Sequence, residues 1–194
     1  MSRKYRMKVR AEASEATGQH ILEVAQQLFG EMLYDHVSLQ EVADRAEVSV
    51  QTVIRHFTSK EQLFTAVTQW SSRQIRAGRD QAPVGDVTGA VRNLIDCYEQ
   101  WGDHVLNCLA QEQRTPALRE VTDAGRRYHH AWVKRTLGLL LADISASECT
   151  QHLNQLVAVT DMYMWKVLRR DLGLSRNETE MAVRSLVNRI IGNG

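Results

Sequence analysis

Apolar residues recur every three or four positions along most of the 194-residue chain, the spacing of amphipathic helices. Ile21, Val24, Ala25, Leu28, Phe29 and Met32 form one stripe and predict a helix from about Thr17 to Leu33. Tyr34-Asp35-His36-Val37 breaks it. Ser38-Leu39-Gln40-Glu41 has the form of a capping box and predicts a short helix over 39–46, with Leu39, Val42 and Ala43 inward. After the turn Ala46-Glu47-Val48, Ser49 caps another short helix carrying Val53 and Phe57. A second box, Ser59-Lys60-Glu61-Gln62, opens a longer helix with Leu63, Phe64, Val67 and Trp70 on one side. Two short helices joined by about three residues, with the small Ala43 where they cross, follow the pattern of a helix-turn-helix.

Residues 80–87, around Pro83 and Gly85, predict a linker. Beyond it the periods lengthen. One helix is expected from Val87 to about Ala110, and a second from Pro116 to about Ala142. A third box at Ser145–Glu148 opens a helix to Leu172, ended by Gly173. A fourth, at Ser175–Glu178, opens the last helix to about Ile191, before a Gly-Asn-Gly end. With only two prolines and no strand-type alternation, the expected fold class is all-α.

Composition narrows the picture. A hydrophobic fraction of 43% and a charged fraction of 24% exclude a disordered chain. The longest apolar stretch, Leu137 to Ile144, interrupted by Gly138 and Asp143, falls far short of the ~20 residues of a membrane span. Ser2 to Arg10 is basic and polar, unlike an export leader. Three cysteines, Cys97, Cys108 and Cys149, are too few and too odd in number for a disulfide framework. A cytoplasmic protein with no membrane partner is expected.

Charge is distributed by region. Arg3, Lys4, Arg6, Lys8 and Arg10 stand in the first ten residues without an acid. Residues 17–48 are acidic, and residues 49–79 swing back to basic through Arg55, Lys60, Arg73, Arg76 and Arg79. The expected organisation is a flexible basic tail over 1–16, a DNA-binding domain over 17–79 and a further helical domain over 80–194. A basic front end on a nearly neutral body suits a polyanion partner.

The residues from Ile21 to Val67 strongly resemble the DNA-binding domain of the TetR family of bacterial one-component regulators. The resemblance is carried by Ile21-Leu22-x-x-Ala25-x-x-Leu28-Phe29, Ser38-Leu39-x-x-Val42-Ala43-x-x-Ala46, Val48-Ser49-x-x-Thr52-Val53-x-Arg55-His56-Phe57 and Ser59-Lys60-Glu61-x-Leu63. It implies a three-helix DNA-binding domain followed by a helical domain that senses a ligand and dimerises. The function implied is a ligand-released homodimeric repressor on a palindromic operator. The recognition segment is then Ser49 to His56. Val50 and Gln51 would reach base edges, with Thr52 on a base or phosphate. Ser38, Arg55, His56 and Lys60 would hold phosphates, and Arg10 would reach the backbone or a minor groove. Three residues depart from the family pattern: Glu47 and Leu33 stand where it has Gly, and Ile54 where it commonly has Tyr.

For the second domain, Tyr98, Trp101, Cys108, Trp132 and Trp165 are candidate walls of an effector pocket, with Asp161 and His129 as its polar handles. Asp161 stands out because an unpaired carboxylate inside a long apolar helix is costly. Two apolar stripes are candidates for a homodimer face: Leu153, Leu156 and Met164 on one, and Val183, Leu186, Val187 and Ile190 on the other. No Gly-x-Ser-x-Gly, phosphate-binding glycine loop or His-Glu-x-x-His is present, so neither an enzyme nor a cofactor is expected, beyond an unidentified small-molecule effector. No metal is expected, although His104, Cys108, His129 and Cys97 leave a metal sensor as one alternative. A helical small-molecule carrier without operator readout is the other.

Overall fold

The computed structural model describes residues 3–142 and 144–192; the sequence readings that touch Met1, Ser2, Asp143, Asn193 and Gly194 lie outside them. Every regular element among the described residues is helical. The chain divides into two compact units, residues 1–73 and 74–194.

The first unit holds α1 (Arg3–Glu31), a 3-10 turn (Tyr34–His36), α2 (Leu39–Arg45), α3 (Val50–Phe57) and the first turns of α4 (Lys60–Arg79). The first helix begins far earlier than Thr17, so residues 3–16 are helical where a flexible tail was expected. The cause is local. This stretch is rich in Ala, Arg, Lys and Glu, strong helix formers, with no Gly or Pro before Gly18. Lys8 pairs with Glu12 one turn on, at 3.7 Å, and the Thr17 hydroxyl donates to the Ala13 carbonyl at 2.9 Å. Most of the predicted core is buried: Ile21, Val24, Ala25, Leu28 and Phe29 of α1 with Val42, Ala43, Val53, Leu63, Phe64 and Val67. Met32, Leu39, Phe57 and Trp70 are only half-buried, and Val37, read as part of a break, lies inside. Ala43 lies where α2 meets α3, and its carbonyl accepts the Val48 amide at 3.0 Å, which closes the turn.

The second unit comprises the end of α4, α5 (Val87–Gln111), α6 (Pro116–Leu137) with a 3-10 turn (Gly138–Leu141), α7 (Ala146–Val159), α8 (Met162–Lys166) with a wide π turn (Val167–Asp171), and α9 (Arg176–Ile190). Helix α5 lies against α6, α8 and α9, while α7 lies against α6 and α9. Full reciprocal capping boxes start α7 at Ser145 and α9 at Ser175. The single helix expected from Ser145 to Leu172 is instead broken at Thr160-Asp161. Thr160 Oγ1 donates back to the Leu156 carbonyl at 2.6 Å. Asp161 turns extended (ψ 156°) and its carboxylate accepts the Tyr163 amide at 2.9 Å, so it caps α8. Thr and Asp offer the backbone local bonds that compete with the helix.

Gly102 sets how closely α5 and α8 approach. A Cβ there would fall 2.4 Å from the Trp165 ring. An acidic row on the same helix, Asp96, Glu99 and Asp103, meets Arg176, Arg169 and Arg170 of the α8–α9 corner at 2.5, 3.0 and 2.8 Å. The Trp165 indole also donates to Glu99, at 2.9 Å. Burial pushes the Glu99 carboxyl up, but the hydrogen bonds from Arg169 and Trp165 outweigh it and hold the group below its ordinary range. The Arg170 hydrogen bond does the same for Asp103.

Candidate nucleic-acid interface

Helix α3 is capped by Ser49, whose Oγ accepts the Thr52 amide at 3.2 Å and meets the Thr52 hydroxyl at 2.9 Å. Val53 is fully buried and anchors the helix. Gln51, Ile54 and Arg55 are exposed, and at 100° per residue they fall within one narrow sector. Val50 and Thr52 flank that sector, half-buried. His56 does not share it. Its ring packs against α1 at Gly18, where an added Cβ would come within 3.2 Å of Nδ1, and its Nε2 is sealed from solvent without a partner. Of the expected phosphate contacts, Arg55 therefore points outward while His56 serves as packing between α1 and α3.

Ser38 Oγ accepts the Glu41 amide at 3.1 Å, starting α2. Lys60 opens α4 with its Nζ 4.4 Å from the centre of the Tyr34 ring, which itself sits edge-on to Phe64. Lys60 as a whole is half-exposed. Arg10 lies exposed on helical backbone, not on a loose tail. Ile54, read from the sequence only as a departure, is 43% exposed between Gln51 and Arg55. An isoleucine at that position on a short amphipathic helix was the signal that could have placed it on the outer face.

In the second unit the structure separates the candidate pocket residues. Tyr98, His129 and Trp132 come together around Arg79, while Trp165 packs on Gly102 and within 6.1 Å of Tyr98. Their polar atoms have partners inside the protein. Tyr98 donates to the Thr160 carbonyl at 2.9 Å and Trp132 to the Arg79 carbonyl at 3.0 Å. Asp161 is spent on its cap and is not the free polar handle expected of it. Trp101 and Cys108 are buried further along α5. Cys108 Sγ lies 4.0 Å from His104 Nε2, and no group of three or more potential metal ligands forms among the described residues. Burial drives the Cys108 thiol up to about 12 and His104 down to about 4. Arg79 entered the sequence reading only as one of the basic residues of 49–79; the structure buries it.

The family model described as bacterial regulatory proteins, tetR family, matches residues 21–67, the segment that holds this capped, outward-facing α3. Residues 21–67 belong to the tetR family. The chain is also similar to the HTH-type transcriptional regulator AcrR of Shigella flexneri, 31% identical over 117 residues, 59% of this chain and 51% of that protein. It thus spans about half the length of that curated relative. A TetR-like transcriptional regulator from Rhodococcus sp. RHA1 superposes with a TM-score of 0.70 at 17% identity, covering 92% of this chain and 97% of that one. A tetR-family transcriptional regulator from Streptomyces coelicolor does so with a TM-score of 0.65 at 18% identity, covering 92% and 90%. At those identities the solved structures establish a shared all-helical fold over nearly the whole chain.

Within the tetR-family domain, the glycine-less turn is strained rather than rebuilt: Glu47 adopts φ 54°, which costs a non-glycine residue roughly 1–2 kcal/mol. Thr58, at the other end of α3, is also left-handed at φ 49°. Leu33, the second glycine departure, keeps an ordinary extended backbone (φ −64°, ψ 140°). Outside that domain the candidate dimer stripes need correction. Leu156, Val183 and Val187 are buried in this chain's own core, because α7 and α9 pack on each other and on the neighbouring helices. Leu153, Met164 and Ile190 are half-buried, and Leu186 is exposed. The exposed apolar side chains of this region are instead Tyr163, Val167, Leu172, Met181 and Leu186.

Proposed function

We propose that the chain is a sequence-specific DNA-binding transcription regulator, acting as a homodimeric repressor that a small-molecule effector releases from a palindromic operator. The observation that carries the reading is the free face of α3, where Gln51, Ile54 and Arg55 stand exposed beside a serine-capped N-terminus. A helix of this length fits a major groove; Gln51 can bond an adenine edge in bidentate fashion and Ile54 can pack on a thymine methyl. Arg55, Lys60, Ser38 and the α2 amides supply phosphate contacts that fix register without reading sequence. Two copies joined through the exposed apolar side chains of α8 and α9 would present two such helices to successive turns of duplex, roughly 34–36 Å apart. No helix of the described residues is long and apolar enough to cross a membrane, which accords with DNA as the partner.

Selection of bound sequences from a random duplex pool tests this directly. The expected product is a palindrome, with Gln51→Ala relaxing one position per half-site by about 1–3 kcal/mol of discrimination. Lys60→Ala should weaken every sequence alike and lower the salt slope by about one phosphate. Binding indifferent to sequence, or unchanged base preferences in Gln51→Ala, would overturn the readout. A metabolite-dependent loss of the selected duplex tests the effector separately.

A further inference from the structure

Among the described residues two charged side chains are buried in the second unit, and they are satisfied very differently. Glu180 has Arg176 Nη1 at 2.5 Å and Arg92 at 3.8 Å. Arg79, only 4% exposed, is offered no carboxylate by any described residue. Its Nη2 meets His129 Nδ1 at 3.0 Å, and its Nε is sealed from solvent with no partner at all. The nearest acid in sequence, Asp80, is turned away and held by Arg135 at 2.5 Å and by the Tyr128 hydroxyl at 2.8 Å.

What surrounds the guanidinium is aromatic. Trp132 lies 4.4 Å away, Tyr128 5.5 Å and Tyr98 5.8 Å. His129 adds a lone pair, not a charge. Its Nε2 donates toward the Val157 carbonyl at 3.2 Å, leaving Nδ1 as the acceptor. Burial first, then the Arg79 charge, keeps the ring neutral, with its pKa near 4. Cation–π contacts return part of the cost of taking a guanidinium out of water, but far less than a paired oxyanion does. Within the protein one of five donors is used, and the guanidinium forms no ion pair.

We propose that Arg79 is the anchor of an anion site in the second unit, whose ligand is a carboxylate on a flat apolar body. The inference rests on the reading that this unit takes a small-molecule effector, and it names the effector's chemistry. A carboxylate matches the planar fork of a guanidinium and would fill the unused Nε edge. Trp132 and Tyr98 are buried against the guanidinium, so the half-buried Tyr128 ring is the face left for an aromatic or planar ligand to stack on.

The test is calorimetric titration of the full chain, without DNA, with naphthalene-1-carboxylate, naphthalene-1-carboxamide and inorganic phosphate at matched ionic strength. The acid is expected to bind about 30-fold more tightly than the amide and to raise Tm at saturation, with phosphate giving no comparable response. Arg79→Met should erase the preference for the acid, and Arg79→Lys should keep only part of it. Circular dichroism confirms that each variant is folded, and the wild-type comparison of acid with amide stands whatever the variants do. Equal binding of acid and amide, or a preference that survives Arg79→Met, overturns the anion site while leaving an effector site intact. A response to phosphate equal to that of the acid, or no binding of the acid, also overturns it. Release of the selected duplex by metabolites, measured independently, tells that failure apart from failure of the effector reading itself.

Discussion

The two units bury polar groups in opposite ways. In the first, the buried polar side chains among the described residues are Thr68 and Ser71, and its shape is set by caps and turns within a few residues of one another: Ser38 to Glu41, Ser49 to Thr52, Glu47 in a left-handed turn. In the second, Arg79, Glu180 and His129 are inside, and the bonds that organise it join residues far apart in the chain, such as Glu99 with Arg169 and Asp96 with Arg176. A unit built on local grammar tolerates variation away from its apolar positions. A unit held by pairs far apart in the chain is specified two residues at a time, and each pair fails when either member goes.

The largest expected effect breaks the second unit where its helices come closest. Trp165→Ala removes a fully buried indole that fills the space above Gly102 and bonds Glu99; denaturant unfolding should show a loss of about 3–5 kcal/mol. Acidification should single out the same unit. His104 and His129 are held neutral with pKa values near 4, whereas the unfolded chain takes up protons at each below about 6.5. The folded state binds fewer protons in that window. Stability is therefore full above pH 6.5 and falls as the pH drops toward 4, by up to about 1.4 kcal/mol per pH unit for each histidine. Melting curves at pH 7.5 and 5.5 should show it, and His129→Gln should remove one proton's share of the slope. A pH dependence unchanged in that variant would contradict the buried neutral ring.

Smaller effects sharpen the contrast in the first unit. Ser49→Ala deletes the α3 cap and should cost about 1 kcal/mol, with a matching loss of DNA affinity if the helix end frays. Glu47→Gly relieves the left-handed strain, and after the entropy cost of glycine a gain of roughly 0.5 kcal/mol remains. A lower Tm in that variant would mean that the Glu47 side chain contributes something its backbone conformation conceals.

Much of the first unit was legible because its information is local. The period of Ile21 to Phe29, the serine caps and Ala43 at the crossing each declare their role within one turn of helix. The helical run over residues 3–16 was equally visible in its helix-forming composition, yet the charge of Arg3 to Arg10 suggested a loose tail. The break at Thr160-Asp161 was written in two residues that favour local bonds, but the apolar period on either side masked it. His56 could not be assigned, since its direction depends on Gly18 thirty-eight positions earlier.

The order of most helices, the serine caps and the exposure of Gln51 and Arg55 on the short helix after Ser49 followed from the sequence by itself, because hydrophobic period and capping act over three or four residues. Only the tertiary structure decided that Leu156, Val183 and Val187 face inward, that Asp161 is a cap, and that Arg79 is buried without an acid. Burial belongs to the packing of several helices at once. A helix with two apolar faces, or one arginine among three at equal spacing, carries no local mark of which side its neighbours will cover.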